Sequence, residues 1–498
     1  MKKAWFLSII GLVLLFSWSC REDFDYEPSV GQLSFSKDTV FLDTVFKGIS
    51  SSTYSLTVYN TSSTDIRIPT VTLKNGEQSQ YRLNVNGNAG NSFTDVPLLA
   101  KDSLFIFIET TVTDVNENEF LYTDVLQLGQ EDNYQEVPLI TLVKQANFIY
   151  ADGTSRKKTI QIGQDIDGNP IQVEGFVLKD DQLEFVNTQP YVVYGYAIVP
   201  ENKQLNVAAG SRVHFHSNSG IYISSNSQLN VNGVLSEDIN QLENEVIFEG
   251  DRLEPEFAHV AGQWGGIIFE ANSINNSLHH LTIKNAQIGI QIKGDPNDDA
   301  PNIQLNNCQI HNSSIVNMMS QGGSFTAVNS VFGSAGNNSV LLQKGGFYSF
   351  THCTLANYWN EGFRTQPAFF IHATENGGSY PLSLVMENSI IDGSTFSEIA
   401  LSIDISTIQE LRFNHTSLKT TTLDLTPDIS IEASEYFINP ILNPALTYLN
   451  PNKLLFWPQS GSETLDIGDP NISADFPKDI HGVDRMTSPD LGAKELLP

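Results

Sequence analysis

Between residue 32 and about residue 148, the chain alternates apolar and polar residues in short runs. In the run Tyr54-Ser55-Leu56-Thr57-Val58, every second side chain is apolar, and Asn, Gly, Ser or Asp residues separate one run from the next. Such alternation predicts antiparallel strands with one buried face. About seven or eight such runs in one domain are typical of an Ig-like β-sandwich. We expect this domain to act mainly as a spacer.

A shorter rhythm begins near residue 191. Four segments of inward-outward-inward character start eight residues apart: 205–207, 213–215, 221–223 and 229–231. Three such strands make one coil of about 24 residues, and stacked coils bury a continuous apolar column. Later apolar positions continue the repeat with spacings of 27, 22, 23 and 36 residues: Ile283, Ile310, Phe332, Leu355 and Ile391. This pattern predicts a parallel β-helix, in which Cys308 and Cys353 are buried about two coils apart and unable to form a disulfide.

The fold class is therefore all-β, with an N-terminal Ig-like antiparallel sandwich followed by a right-handed parallel β-helix. We divide the chain into six segments: a signal peptide (1–19), an acidic tether (20–30), the sandwich (31–148), a connecting or capping segment (149–190), the β-helix (191–435) and a closing segment (436–498).

The N-terminus has the features of an export signal. Lys2 and Lys3 precede an apolar run that ends at Trp18, which has the length of a signal-peptide core and is short for a membrane span. The sequence Ser-Trp-Ser-Cys at 17–20 resembles a bacterial lipobox, although Ser17 stands where Leu is usual. We therefore expect lipidation of Cys20, and the alternative is cleavage at another position. The acidic residues that follow resemble a signal for export to the outer face of the outer membrane.

Several motifs resemble a family of bacterial surface lipoproteins that contain right-handed parallel β-helix repeats. They include Gln-Trp-Gly-Gly at 263–266, with Trp264 expected to pack over a coil edge, and the segments 246–252, 281–286, 345–350 and 352–358. The segments 479–485 and 489–495 resemble the C-terminal motif of such proteins, with Lys494 where Tyr is usual. The resemblance implies the fold over about residues 150–498 and leaves the activity open.

Composition narrows the classes of partner. The 498 residues include 27 Lys and Arg against 57 Asp and Glu, a formal charge of −30. Proteins that bind nucleic acid through phosphates need clustered cations, so we expect no nucleic-acid partner. The expected partners are the lipid bilayer, through the acylated N-terminus, and a polysaccharide or another surface protein.

The wider β-helix class includes polysaccharide lyases and hydrolases, which makes catalysis the rival hypothesis. A lyase needs carboxylates that hold Ca²⁺ against the substrate acid and a cation that abstracts a proton. Asp295, Asp298 and Asp299 form the densest acidic loop, and Lys284 and Arg364 are candidate cations. A solvated turn explains the acids equally well, so we expect no metal site or cofactor, with Ca²⁺ as the alternative. A lyase requires these residues to converge with Lys293 in one groove.

Aromatic residues crowd the stretch 357–372. Tyr358 and Trp359, together with Arg364, are candidates for contact with sugar rings, whose apolar C–H faces stack on aromatic side chains. Core packing of an inserted loop is the alternative explanation. The expected role is thus that of an outer-membrane lipoprotein facing the cell exterior, structural or adhesive and without catalysis. The alternative is a lyase or glycoside hydrolase of the β-helix class.

Overall fold

The computed structural model describes residues 26–113, 120–130, 132–164, 168–375, 378–426, 429–432, 435–485 and 487–497. Cys20 and the signal sequence lie outside the described residues. The chain divides into two compact units, Met1–Lys144 and Gln145–Pro498. Each is described by itself.

The first unit contains two β-sheets. Its strands are β1 (Glu27–Pro28), β2 (Leu33–Phe35), β3 (Val40–Phe46), β4 (Tyr54–Asn60), β5 (Ile66–Leu73), β6 (Tyr81–Val85), β7 (Asn88–Gly90), β8 (Ser92–Leu98), β9 (Ser103–Thr110), β10 (Leu121–Gln130) and β11 (Asn133–Lys144). The larger sheet has the order β1-β5-β10-β11-β3, with β8 beside β5, and the smaller sheet has the order β2-β4-β9-β6-β7. Pairing is antiparallel except for β1 with β5 and β3 with β11.

The two sheets of this unit share one hydrophobic core. Leu56 and Ile106 of the smaller sheet belong to the same buried cluster as Leu126 and Leu139 of the larger sheet. Alternate residues of strands such as β4 and β9 point into this cluster, as the period-2 pattern predicts. The unit is therefore a β-sandwich, and the predicted fold of this region is confirmed.

The second unit is built on three long sheets, which we number in the order of their first strands. Sheet 1 contains β12 (Asn147–Ile149), β16 (Tyr191–Val193), β19 (Arg212–Phe215), β22 (Val246–Gly250), β25 (Leu281–Lys284), β28 (Gln309–Ser313), β31 (Val331–Ala335), β34 (Thr354–Asn357), β39 (Ile390–Gly393), β42 (Ser417–Leu418) and β46 (Ile441–Leu442). Sheet 2 contains β13 (Lys157–Gln164), β14 (Pro170–Val177), β17 (Tyr196–Val199), β20 (Gly220–Ile223), β23 (Gly266–Phe269), β26 (Ile288–Lys293), β29 (Val316–Gln321), β32 (Asn338–Gln343), β35 (Phe369–His372) and β40 (Ile399–Ser402). Sheet 3 contains β15 (Glu184–Phe185), β18 (Gln204–Ala208), β21 (Gln228–Asn232), β24 (Asn276–His279), β27 (Ile303–Asn306), β30 (Ser324–Val328), β33 (Gly346–Thr351), β38 (Leu382–Glu387), β41 (Ile408–Asn414) and β45 (Phe437–Ile438).

Shorter elements complete this unit. Three two-stranded pairs are formed by β36 (Thr374–Glu375) with β37 (Gly378–Ser379), β43 (Asp424–Thr426) with β44 (Ile429–Ser430), and β47 (Tyr448–Asn450) with β48 (Leu455–Pro458). A short helix, α1 (Pro470–Ser473), lies in the closing segment. Among the described residues, six 3₁₀ turns lie at Gly76–Gln78, Thr154–Arg156, Asp180–Gln182, Pro255–Phe257, Ile405–Thr407 and Pro451–Lys453.

The chain passes from sheet 1 to sheet 2 to sheet 3 and back, and neighbouring strands of each sheet are parallel except β13 and β14. Leu205 pairs with Leu229, as the predicted 24-residue coil requires. The five apolar positions of the longer repeat also pair in succession, from Ile283 to Ile391. The predicted parallel β-helix and its register are therefore confirmed. The stack begins at β12 and ends at β46, so it extends beyond 191–435 on both sides.

The inward-facing residues form one hydrophobic column along the helix. Trp264 lies inside this column, stacked on Phe215 with ring centroids 4.2 Å apart, and its Nε1–H donates to the Lys284 carbonyl at 2.9 Å. The expectation that Trp264 packs over a coil edge was wrong, because the adjacent turn directs the indole inward.

One corner of the helix has the same length in seven coils. Between sheet 3 and sheet 1 a single residue with positive φ makes the turn: His280, Asn307, Asn329, His352, Asn388, His415 and Asn439. Asn tolerates this left-handed conformation better than most side chains, and His is also enriched there. Neighbouring side chains contact each other in three pairs, with 3.1, 3.4 and 3.2 Å between the amide Nδ2 and the imidazole Nε2: Asn307 with His280, Asn388 with His352, and Asn439 with His415. We call this series the Asn/His ladder.

The two cysteines lie directly after this corner. Both are buried free thiols. Ser330 occupies the same position in the intervening coil, where its Oγ accepts from the Cys308 N–H at 3.2 Å and donates to the Val328 carbonyl at 2.8 Å. Burial raises the pKa of each thiol to about 12. The prediction that they are unbonded and two coils apart is confirmed.

The closing segment packs against the outer face of sheet 1. The Ala493 N–H donates to Thr354 Oγ1 at 3.0 Å, and Ser473 Oγ lies 2.9 Å from His352 Nε2. Within the segment, Arg485 forms a buried ion pair with Glu495 at 2.5 Å. The C-terminal motif therefore holds the end of the chain on the side of the stack.

Candidate polysaccharide-binding groove

A groove of about 860 Å³ runs along the outer face of sheet 2. One wall is β13, whose hairpin with β14 turns back over the sheet and places Ile160 in a small apolar cluster with Ile198 and Ile268. The Gln291 amide holds this wall, since its Nε2 donates to the Ile162 carbonyl at 3.1 Å. The groove is consequently an open trough between the hairpin and the coils.

A column of polar residues forms the floor of the groove. Strand pairing aligns four residues at the ends of successive sheet 2 strands: Lys293, Gln321, Gln343 and His372. Glu270 follows β23 directly and continues the series through its contact with Lys293. The Gln321 amide donates to Gln343 Oε1 at 3.2 Å, and the His372 ring stacks on Phe370 with centroids 5.6 Å apart. We call this series the polar column. It offers amide, imidazole and ammonium groups at the regular strand spacing of about 4.8 Å.

One end of the column is an ion-paired cluster. Tyr222 donates a hydrogen bond to Glu270 Oε2, and the Lys293 ammonium lies 3.1 Å from the same oxygen. Lys293 also donates to the Gln161 carbonyl of the hairpin at 3.1 Å. Burial alone would raise the pKa of Glu270, but the Tyr222 hydrogen bond and the Lys293 charge together hold it below its ordinary value. Burial, the bond to Glu270 and its charge raise the pKa of Tyr222.

The cationic candidates from the sequence lie in separate environments. Lys284 is on β25 of sheet 1, where its Nζ lies 2.7 Å from Glu249 Oε2. Arg364 lies in the loop between β34 and β35, buried and paired with Glu398 at 2.6 Å. Lys293 alone of these three lines the groove. The convergence that the lyase hypothesis requires is therefore not found among these residues.

The acidic candidates lie at the corner between sheets 2 and 3. Asp295 accepts bonds from the N–H and side chain of Asn297, which hold the pKa of Asp295 below its ordinary value, and Asp298 accepts from the Ala300 N–H. Asp299 is exposed in the same turn. Within the described ranges, no group of three or more His, Cys, Asp or Glu side chains could hold a metal ion.

The aromatic candidates differ from one another. Tyr358 donates to Asp392 Oδ2 at 2.5 Å and packs against Tyr448 and Phe456 in a side core under the closing segment. Burial and the Asp392 charge raise its pKa. Trp359 is half-buried, and its backbone N–H donates to Asn357 Oδ1 at 3.3 Å. Neither residue lines the groove on sheet 2.

The residues of the polar column did not stand out in the sequence. The alignment of coils followed the strands of sheet 1, whose apolar spacing is the clearest signal in the chain. Extending the same register to the next strand of each coil would bring Lys293, Gln321 and Gln343 together at one position. The polar column could thus be predicted from the repeat, although the hairpin that encloses it could not.

Comparisons with known proteins give little further information. No protein-family model and no curated protein matches the chain. Twelve chains of solved structures match, including a family 123 glycoside hydrolase from Clostridium perfringens studied for glycolipid glycan hydrolysis. That match has 8% identity and a TM-score of 0.16, and covers 24% of this chain and 30% of the hydrolase. At this level of similarity it carries no argument about function.

None of the helices in the described ranges has the length and apolar composition needed to cross a bilayer.

Proposed function

We propose that this chain is a bacterial surface lipoprotein whose β-helix binds polysaccharide without cleaving it. The observation that carries the proposal is the open groove on sheet 2 with its polar column. Glycans bind through many hydrogen bonds to hydroxyl groups, and a regular series of amide, imidazole and ammonium groups suits that need. An open trough also accepts a long polymer, whereas a closed pocket accepts a short ligand.

The electrostatics of the groove support binding over catalysis. A glycosidase acid must hold its proton near neutral pH, which requires a raised carboxyl pKa. Glu270 has the opposite shift, because Tyr222 and Lys293 stabilise its ionised form. Lys293 in turn is engaged by that carboxylate and by the Gln161 carbonyl, each at 3.1 Å, so its contacts are with the protein itself. The cluster is better suited to be a fixed part of the floor of a binding site.

The proposed location rests on the N-terminal sequence. We place the protein on the outer membrane, anchored through acyl chains on Cys20, with its right-handed β-helix facing the cell exterior. Two or more acyl chains give stable anchoring where one would not. Replacement of Cys20 by Ala should abolish labelling with radioactive palmitate, and external protease should degrade the wild-type protein on intact cells. Labelling that persists in the variant, or complete protection from protease, would contradict this part of the proposal.

The binding proposal is tested with purified residues 21–498. Calorimetric titration against neutral and acidic polysaccharides, with and without Ca²⁺, measures affinity, while reducing ends and the absorbance of unsaturated sugars measure cleavage. We expect binding without products, weakened in the double variant Gln321→Ala/Gln343→Ala. Lys478→Gln is the matched control, because Lys478 lies in the closing segment and is exposed. Products would establish the rival lyase or hydrolase, and silence on every glycan would refute binding.

A further inference from the structure

A smaller cavity, of about 230 Å³, lies at the corner between sheet 1 and sheet 2. Its floor belongs to two coils that have short connections at this corner, 314–315 and 336–337. An earlier and a later coil have long connections there, 251–265 and 358–368, and these form two walls. The third wall is the turn 451–454 between β47 and β48. Three loop segments thus converge over a rigid scaffold, which is where binding sites are commonly built.

Hydrogen bonds and packing hold these segments in place. Asn312 of the floor is buried, and its Nδ2 donates to the His259 carbonyl of the first wall at 2.7 Å. Between the second and third walls, the Asn360 amide donates to Asn452 Oδ1 at 3.4 Å. Leu454 of the third wall is buried in the side core under the closing segment. The shape of the cavity is therefore set by contacts among its own walls and floor.

The floor contains a polar group that the protein leaves unsatisfied. Ser334 lines the cavity and is 3% exposed, and its Oγ has no hydrogen-bond partner among the described residues. Its φ of 38° lies in the left-handed region, as does the φ of 62° at Leu454. A buried hydroxyl without a partner and a strained backbone both reduce stability, and such features persist where they serve a function. The Ser334 hydroxyl is therefore a candidate contact for a ligand.

The size and charge of the cavity suit a small neutral ligand. A cavity of about 150 Å³ holds benzene, so this larger one has room for one sugar ring with its hydroxyl groups. Burial and the charges of Lys284 and Lys453 lower the pKa of His259, so that imidazole is neutral near pH 7. No Lys or Arg is among the described residues that line the cavity, whereas Glu361 is. An acidic ligand would thus meet a carboxylate and no cationic partner in the lining.

We propose that this cavity binds one neutral sugar residue, the end or a side branch of a polysaccharide, through a hydrogen bond from a sugar hydroxyl to Ser334 Oγ. The amides of Asn360 and Asn452 at the mouth offer further hydrogen bonds to hydroxyl groups. Tyr358 and Leu454 provide apolar surface for the C–H face of the ring. The site adds to the proposed function and does not depend on binding in the groove on sheet 2.

The test uses residues 21–498, with saturation-transfer NMR and calorimetry. The neutral probes are glucose, galactose, mannose and N-acetylglucosamine, and glucuronate is the acidic probe. The wild type should bind at least one neutral sugar more tightly than glucuronate. Ser334→Ala should weaken that sugar about fivefold or more, while its thermal midpoint equals or exceeds that of the wild type, because the hydroxyl has no partner to lose. Asn360→Ala, at the exposed mouth, should also weaken it.

Ser339→Ala is the matched control. Ser339 is buried in the next strand along the chain, its Oγ also has no partner among the described residues, and it does not line the cavity. Its replacement should leave the sugar affinity unchanged. The double variant Gln321→Ala/Gln343→Ala should also leave it unchanged, since those residues lie in the groove on sheet 2.

The outcomes separate this site from the groove. Weaker sugar binding in Ser334→Ala and Asn360→Ala, with an undiminished midpoint and both controls intact, would support the inference. Wild-type affinity in these two variants, equal affinity for glucuronate, or binding of none of the five sugars would overturn it. A lower midpoint in Ser334→Ala would also overturn it, because the hydroxyl would then have a structural role. Polysaccharide binding in the groove is tested separately and would stand after any of these results.

Discussion

The buried ion pair of Arg364 and Glu398 should be a major support of the loops beside sheet 2. The Arg364 side chain is 2% exposed and that of Glu398 is 0% exposed. The guanidinium donates two bonds to the carboxylate, at 2.6 and 2.8 Å, and a third to the Asn357 carbonyl at 2.7 Å. The loop that carries Arg364 and the loop that carries Glu398 are thereby joined.

Replacing Arg364 by Met leaves the Glu398 charge buried without its partner. Loss of one member of a buried pair costs about 3–5 kcal/mol. The N–H groups of Ala368 and Thr395 donate to Glu398 at 2.7 and 2.6 Å, so their exchange with solvent reports directly on this site. Where exchange follows local opening, that cost makes the hydrogen-exchange rates of these two amides about two to four powers of ten faster in the variant than in the wild type.

Hydrogen exchange followed by mass spectrometry measures this effect on peptides that contain the two amides. The double variant Arg364→Met/Glu398→Gln should be less affected than Arg364→Met, because it leaves no buried charge, although the substituted amide side chain has one oxygen and can replace the acceptor of only one of the two N–H groups. Lys478→Met is the control, since the side chains of Lys478 and its ion-pair partner Asp484 are 56% and 64% exposed. Exposed ion pairs contribute only about 0–1 kcal/mol to stability. Equal exchange in Arg364→Met and the wild type would refute the reasoning.

Two further predictions concern the stack itself. Gly266→Ala should lower the thermal midpoint strongly, because a Cβ there would lie 1.7 Å from the Ile288 carbonyl oxygen. Gly153→Ala is the control and should leave the midpoint nearly unchanged, since the space around Gly153 is open. Similar midpoints for the two variants would contradict this prediction. His352 is buried, which lowers its pKa to about 2. Below about pH 6.5 the unfolded chain therefore binds a proton at this histidine that the folded chain does not bind. Denaturant titrations should show stability falling by about 2 kcal/mol from pH 7 to pH 5 on account of this group, with a shallower fall in His352→Asn. An unchanged pH slope in that variant would contradict the assignment.

The fold was predictable because its repeat is carried by apolar residues at regular spacing. Ile283, Ile310 and Phe332 pair across neighbouring coils as their spacing indicated, since each coil must bring one inward residue to the same height. The sandwich was predictable for a similar reason, because a strand with one buried face must alternate. Trp264 was misjudged because a single turn decides whether its side chain points in or out.

The groove was much less accessible from the sequence. Its floor requires the register of sheet 2, and its wall requires the fold-back of the β13–β14 hairpin, which no local pattern reveals. Arg364 illustrates the opposite difficulty. Its charge suggested a ligand site, but a buried partner 34 positions away, Glu398, gives it a structural contact. Pairings between distant loops depend on the three-dimensional arrangement of the coils.

The Asn/His ladder limits where this protein can gain or lose residues. Each coil from His280 to Asn439 crosses that corner with one left-handed residue. An insertion there would shift the sheet 1 strand that follows it by one position and turn the apolar face of that strand outward. The other two corners already differ in length between coils, as the long connections between β34 and β35 and between β26 and β27 show. Evolutionary insertions and engineered epitopes therefore belong at those two corners. The protein can acquire new surface features there while the pitch of the β-helix stays constant.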